Sequence, residues 1–401
     1  MKKRNLIISA LSLCFIIILC ECTRRIEAAE PVDIYAGGPV TAPLDSLFGD
    51  IFSSDGPGGI VMVLSGDSIL YERAFGYADI KTKEPITDRT VFNYASLSKF
   101  FCATALLKLA EQGKVSIDDS LSMYFPEFPA ELFDKITLRH ILTHTSGLPD
   151  LRPRDESEWD KYLREQKSVF GFSRDYRLYG TEKEHSQVFK MLKNLEFEPG
   201  TTYQPNDPGY VLIAPLVEKV TGEDFQKWMN ENIFEPAGMS DQFYIRPGYN
   251  PPHSAHGYTL DENGAWKEYD YGEAEFFITK ADRGLFGSMH DFRNWMRALV
   301  DGKIISNESR SDMCSGSMEH YSPHTYLGLG VLIVKKPGQP TKACHRRSNG
   351  GFTAVESSWP EIDLHYVILS NRNDWDYRAT IEQVDSILLD KIMIQQDSLR
   401  K

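Results

Sequence analysis

Two residues one helical turn apart carry the first chemistry in this sequence. Ser96-Leu97-Ser98-Lys99 sets a hydroxyl and an amine at i and i+3, which are neighbours on a helix with Cβ atoms roughly 5–6 Å apart. A lysine withdrawn from water has a lowered pKa. Its neutral amine can take the serine proton and turn the hydroxyl into a nucleophile. A helix N-terminus adds a field that favours the oxyanion formed on attack at a carbonyl. Ser-x-x-Lys also arises by chance, and the same residues suit an N-cap serine beside a solvated lysine. The flanks weigh toward chemistry, because Phe92, Tyr94, Ala95, Phe100 and Phe101 surround the tetrad.

Other constellations are weaker. His140 and His144 have the i, i+4 spacing of zinc ligands, but Ile141 stands where the metalloprotease pattern needs glutamate. They read as structural histidines, and no metal is expected. No Gly-x-Ser-x-Gly elbow occurs, which disfavours an α/β-hydrolase. No phosphate loop or dinucleotide fingerprint appears, so no cofactor is expected.

The elements that must position Ser96 and Lys99 alternate in type along the chain. Gly59–Ser65 and Ser68–Gly76 read as a hairpin over Gly66-Asp67. A long helix is expected within Val91–Gly113, apolar on several sides and stopped by Gly113. Further helices are expected at 137–145, 186–195, 209–220, 225–234, 291–300 and 380–393. Residues 150–184 read as a surface insertion of the kind that can form a lid over a cleft, and 256–278 as Tyr-rich strands or loops. Strands are expected at 326–334, 342–348, 352–359 and 365–371. Short sequential strands without crossover helices make an antiparallel sheet. The fold class is therefore α/β (α+β): an antiparallel sheet built from both chain ends, flanked by helices, with a mostly helical domain inserted. The sheet layer takes about 31–95 and 325–401, and the insertion about 96–324.

With 44 basic and 57 acidic residues, the net charge of −13 argues against a nucleic-acid partner. Lys2-Lys3-Arg4 followed by the apolar run Leu6–Cys20 reads as an export signal over residues 1–30, too short to span a membrane comfortably. Two alternatives stay open: a short retained anchor, or lipidation at Cys20 or Cys22. Three of the six cysteines lie there. Cys102, Cys314 and Cys344 remain, allowing a Cys314–Cys344 bridge or three plain thiols.

Several stretches together resemble one family. Thr90–Lys99, Gly113–Asp119, Tyr124-Phe125-Pro126, Ile136–Leu148, Gly209–Leu212, Glu218–Gly222, Gly284-Leu285 with Asp291, and Leu369-Ser370-Asn371 look like the serine β-lactamases and penicillin-binding-protein-like hydrolases of the class C type, in family order over roughly 42–375. The resemblance implies a covalent acyl-enzyme on Ser96 with Lys99 as base. It also implies a second motif, Tyr-x-Asn before a Gly-Tyr pair. Here the tyrosine position holds Pro205 and the asparagine position Asp207, with Tyr203 as a candidate replacement phenol. Asp207 is expected to accept a hydrogen bond from substrate. The third motif matches at His345, but its glycine position holds Arg347. The oxyanion donors would be the backbone N–H groups of Ser96 and Ser348.

Two functions follow. One is an exported serine hydrolase acting on a β-lactam, a D-amino-acid peptide or a small ester. The other is a non-catalytic relative that binds a cell-wall-like ligand, motivated by Pro205 and Arg347. The partner is a small-molecule or peptidoglycan-like substrate in either case.

Overall fold

The computed structural model describes residues 38–52, 55–149, 186, 188–205, 207–244, 251–268, 279–316, 318–319 and 322–399. The segments expected as export signal (1–30) and surface insertion (150–184) lie outside them.

Strands from both ends of the chain share one sheet. β1 (Gly59–Ser65) and β2 (Ser68–Phe75) form the expected hairpin. β3 (Met318–Glu319), β4 (Thr325–Leu327), β5 (Leu332–Val334), β6 (Lys342–Asn349), β7 (Phe352–Trp359) and β8 (Leu364–Ser370) follow late in the chain. The order is β3-β4-β5-β6-β7-β8-β1-β2, with every pairing antiparallel. Gly59 stands opposite Ser370, and the Ser370 hydroxyl donates to the Gly58 carbonyl across 312 residues of chain.

β1 (GIVMVLS) and β8 (LHYVILS) are apolar on both alternations, so both sheet faces need cover. Ile60, Met62, Val367 and Leu369 face the helical domain. Val61, Val63, Tyr366 and Ile368 face a second core with α1 (Thr41–Ile51) and the closing helix. On the first face lie α2 (Ser98–Glu111), α3 (Leu138–Leu142), α4 (Asp207–Val211), α5 (Ile213–Thr221), α6 (Lys280–Arg283) and α7 (Met289–Val300). The closing helix is α8 (Tyr377–Leu399). The result is a three-layer arrangement with the sheet in the middle.

Several elements differ from expectation. The helix expected within Val91–Gly113 runs from Ser98 to Glu111. Val91–Asn93 is a strand paired with Leu285–Ser288, and Ala95–Leu97 is a 3-10 turn. Val91 and Phe92 favour a strand, and the Asn93 side chain accepts from the Ala95 N–H at 2.8 Å, diverting the backbone from a helix. α2 is buried nearly all round and ends at Gly113, which has φ +67. There the Lys114 N–H reaches the Leu109 carbonyl at 3.0 Å. The 209–220 helix is two, α4 and α5. Within 186–195, Ser186, Val188 and Phe189 are helical and a turn follows. The strand expected at 326–334 folds back at Gly328–Gly330 into β4 and β5. Tyr258–Leu260 pairs with Trp266–Glu268; residues 269–278 lie outside the described residues. Cys102, Cys314 and Cys344 are all free thiols, so the Cys314–Cys344 bridge does not form.

Candidate active site

Ser96 sits on a turn held from several sides. From Thr90 to Leu107 it is the one residue that is not buried. Ala95, just before it, has φ +47, a conformation that costs an alanine roughly 1–2 kcal/mol. The surroundings enforce it. Asn93 Oδ1 accepts from the Ala95 N–H, and Ser98 Oγ donates to the Ala95 carbonyl at 2.8 Å. Asn93 Nδ2 donates to the Arg283 carbonyl at 3.0 Å. Asn349 Nδ2, at the end of β6, reaches Asn93 Oδ1 at 3.2 Å. One asparagine thus ties together the Ser96 turn, the end of α6 and the end of β6.

Lys99, in the first turn of α2, is 3% exposed. Its Nζ donates to Ser96 Oγ at 3.1 Å and to the Asp282 carbonyl at 3.0 Å, and pairs with Asp207 Oδ1 at 2.7 Å. It also lies 5.6 Å from the Tyr210 ring centroid. Burial pushes the Lys99 pKa down, opposed by the Asp207 and Asp282 carboxylates and assisted by the Arg283 cation. Asp207 is itself clamped by Arg283. The Arg283 Nε lies 3.0 Å from Asp282 Oδ2, and the Asp282 Oδ1 accepts from Thr279 Oγ1. Asp207, expected to accept a hydrogen bond from substrate, lines the cleft with its carboxylate between Lys99 and Arg283. Asp282 and Arg283 were not singled out from the sequence, although the adjacent Gly284-Leu285 was.

His345, on β6, stacks on Phe100 with centroids 5.6 Å apart and bonds through Nε2 to the Gly330 carbonyl. A carbonyl only accepts, so Nε2 carries the proton. Lost hydration, with Lys99 and His144 nearby, lowers the His345 pKa to about 3, so the ring is neutral near pH 7. Gly330 approaches α2 closely: a Cβ there, at φ +76, would lie 2.5 Å from the Ala103 Cβ.

β5 pairs with β6 only at Lys342–Cys344. Beyond that point β6 forms one wall of a cleft shared by Ser96, Lys99, His144, Tyr203, Asp207, Arg346 and Arg347. Arg347 falls on the same strand face as His345 by the two-residue period, and it is exposed. Ser348, next along β6, is exposed and is not among the residues lining the cleft; its hydroxyl lies 2.8 Å from that of Thr353. Tyr203 lines the cleft with its ring edge-on to His144, centroids 6.1 Å apart. Pro205 is half-buried and, having no hydroxyl, offers no proton.

The two histidines divide. His140 closes a capping box with Thr137 at the start of α3. His144, at φ +56, lies in the cleft wall against Tyr210. Among the described residues no cluster of three or more His, Cys, Asp or Glu could hold a metal ion.

The chain as a whole is similar to known proteins. The sequence model of the family described as Beta-lactamase matches residues 44–388. Penicillin-binding protein 4* of Bacillus subtilis (strain 168) is 26% identical over 350 residues, covering 84% of this chain and 73% of that protein. Among solved structures, a penicillin binding protein from Bacillus halodurans is 26% identical with a TM-score of 0.70, covering 84% of this chain and 98% of that one. A class C beta-lactamase aligns at 19% identity and a TM-score of 0.69, over 86% of this chain and 95% of its own, a likeness of fold.

Proposed function

The chain belongs to the beta-lactamase family, and from that premise we propose that it is a serine hydrolase that forms an acyl-enzyme on Ser96. The observation that carries this reading is the buried Lys99 amine 3.1 Å from the Ser96 hydroxyl. A solvated lysine would hold its proton; a buried one yields a neutral amine more readily. As Ser96 Oγ attacks a carbonyl carbon, Lys99 takes its proton and later returns it to the leaving nitrogen or oxygen. The backbone N–H groups of Ser96 and Ser348 are the proposed oxyanion donors, and water releases the acyl group.

The substrate is proposed as a β-lactam, a D-amino-acid peptide or a small ester, small enough for the cleft and recognised without nucleic acid. The names of the relatives, which include penicillin-binding proteins, support the first two. Arg346 and Arg347 in the cleft wall favour an anionic group on the substrate. Tyr203 is the proposed phenol for the position held by Pro205. Export, with or without a lipid anchor at Cys20 or Cys22, is proposed from the basic start and apolar run of residues 1–30.

The test is covalent labelling. Full-length protein is incubated with a fluorophosphonate and with a fluorescent β-lactam, digested and analysed by mass spectrometry. The expected adduct is on the Ser96 peptide, absent in Ser96→Ala. Folded protein that neither probe labels at Ser96 is the result that overturns the reading in favour of a non-catalytic binder, which Pro205 and Arg347 would then explain.

A further inference from the structure

The second motif departs from the family's pattern at the residue that touches the base. We infer that Asp207 is a positioning residue that serves as the anionic partner of Lys99, with Arg283 moderating its charge, rather than a ligand for substrate. The inference rests on the serine-hydrolase reading above.

The geometry leaves Asp207 committed. An ammonium has three N–H donors, and Lys99 Nζ has three oxygen partners: Ser96 Oγ at 3.1 Å, the Asp282 carbonyl at 3.0 Å and Asp207 Oδ1 at 2.7 Å. The other Asp207 oxygen, Oδ2, meets the Arg283 guanidinium. Asp207 has a side chain 19% exposed and Arg283 17%. An asparagine here could donate an N–H to a substrate amide. A carboxylate has no proton to donate, and both of its oxygens face cations of the chain.

A carboxylate beside the base acts on both ends of the proton transfer. While Ser96 Oγ bonds to the carbonyl carbon, the C=O electron pair moves to oxygen and the Ser96 proton passes to neutral Lys99. The ammonium formed is stabilised by the Asp207 carboxylate at 2.7 Å. The same attraction holds the resting lysine protonated to higher pH. Arg283 works against it, because its charge repels the ammonium and shares the carboxylate. The charged and titratable groups facing Lys99 are Asp207 and Tyr210 from α4, Asp282 and Arg283 from α6 and His345 from β6, with His144, Tyr203, Arg346 and Arg347 around the shared cleft. Of these, His345 is neutral, and Asp207 acts on the amine more strongly than Asp282, with Arg283 opposing both. Asp207 and Arg283 are therefore the two groups whose removal moves the pH at which the amine is free in opposite directions.

Opposite shifts from two variants test this. The second-order rate of fluorophosphonate labelling at Ser96 is followed against pH for the native protein, Asp207→Asn and Arg283→Gln, each with its fold checked by circular dichroism. Removing the anion should move the acidic limb down by about one pH unit or more, within the range of roughly 1–3 units for a close charge. Removing the guanidinium should move it up. A mere packing role would lower rates without moving the limb in opposite directions. Limbs that coincide, or a limb that rises in Asp207→Asn, overturn the inference. If one variant does not fold, the sign of the other decides. No labelling of the native protein instead overturns the hydrolase reading itself.

Discussion

Two buried ion pairs lie on the same face of the sheet, and they differ in what reaches them. In the cleft, Lys99 meets Asp207. Behind β2, Glu72 is fully buried and pairs with Arg293 of α7 at 3.1 Å. Burial disfavours both charges: it pushes the Lys99 pKa down and the Glu72 pKa up, with Asp207 and Arg293 opposing. The Lys99 amine has an oxygen partner for each of its protons, one of them the half-exposed Ser96. Among the described residues, Glu72 Oε1 has no hydrogen-bond partner. A buried ion pair is thus not in itself a site. Function requires that the strained charge be shared with a group the solvent can reach.

Breaking the first pair at its cation should give the largest effect. Lys99→Met removes the proposed base and should slow Ser96 labelling by about 10²–10⁴-fold, while Asp207 keeps Arg283 and the fold survives in a urea titration. If Lys99→Met labels at the native rate, the contrast between the pairs fails. Breaking the second at its cation should act on stability alone. Arg293→Met strands the Glu72 charge and should lower unfolding free energy by about 3–5 kcal/mol, with the folded fraction labelling normally. Unequal labelling would show that the two pairs are coupled.

A third buried charge sharpens the comparison. Glu356 on β7 is raised to about 8 by burial, from a reference of 4.5, with Ser358 and Lys342 opposing. Between those values the native state keeps a proton that the unfolded chain has lost. Stability therefore falls as pH rises through that window. Glu356→Gln should flatten the decline, as read from urea midpoints at pH 5 and pH 8; an equal slope in the variant would exclude Glu356 as its source. Smallest of all is the exposed Lys135–Glu198 pair, 3.3 Å apart with side chains 51% and 70% exposed. Lys135→Ala should leave the urea midpoint unchanged, since water and salt already screen the pair.

Much of this was legible in the sequence because it is local. Ser96 and Lys99 are one turn apart, and the strands of β1, β2, β6, β7 and β8 announce themselves by composition. What escaped is non-local. Val91–Asn93 is held as a strand by Leu285–Ser288 on one side and by residues 253–255 at Val91, and three residues carry too little periodicity to oppose a helical pattern. Arg283 reads as an ordinary charged residue until folding sets it against Asp207, 76 positions earlier. Asp207 was found by counting from Gly209-Tyr210, but its partner was not, because an ion pair across that separation leaves no spacing rule. His144 was weighed with His140 on a shared helix; the left-handed turn at His144 sends the two to different tasks.

The pairing of β1 with β8 also sets a schedule. The inner strand of the first hairpin has no neighbour on its open side until residue 370 has been made. At roughly 5–20 residues per second, the intervening stretch occupies a ribosome for about 15–60 s. During that time an apolar strand edge must be shielded or kept unfolded. Long-range closure of this kind also slows folding once the chain is complete. A chain cut short before β8 should therefore behave as a sticky, unclosed product rather than a smaller version of the protein.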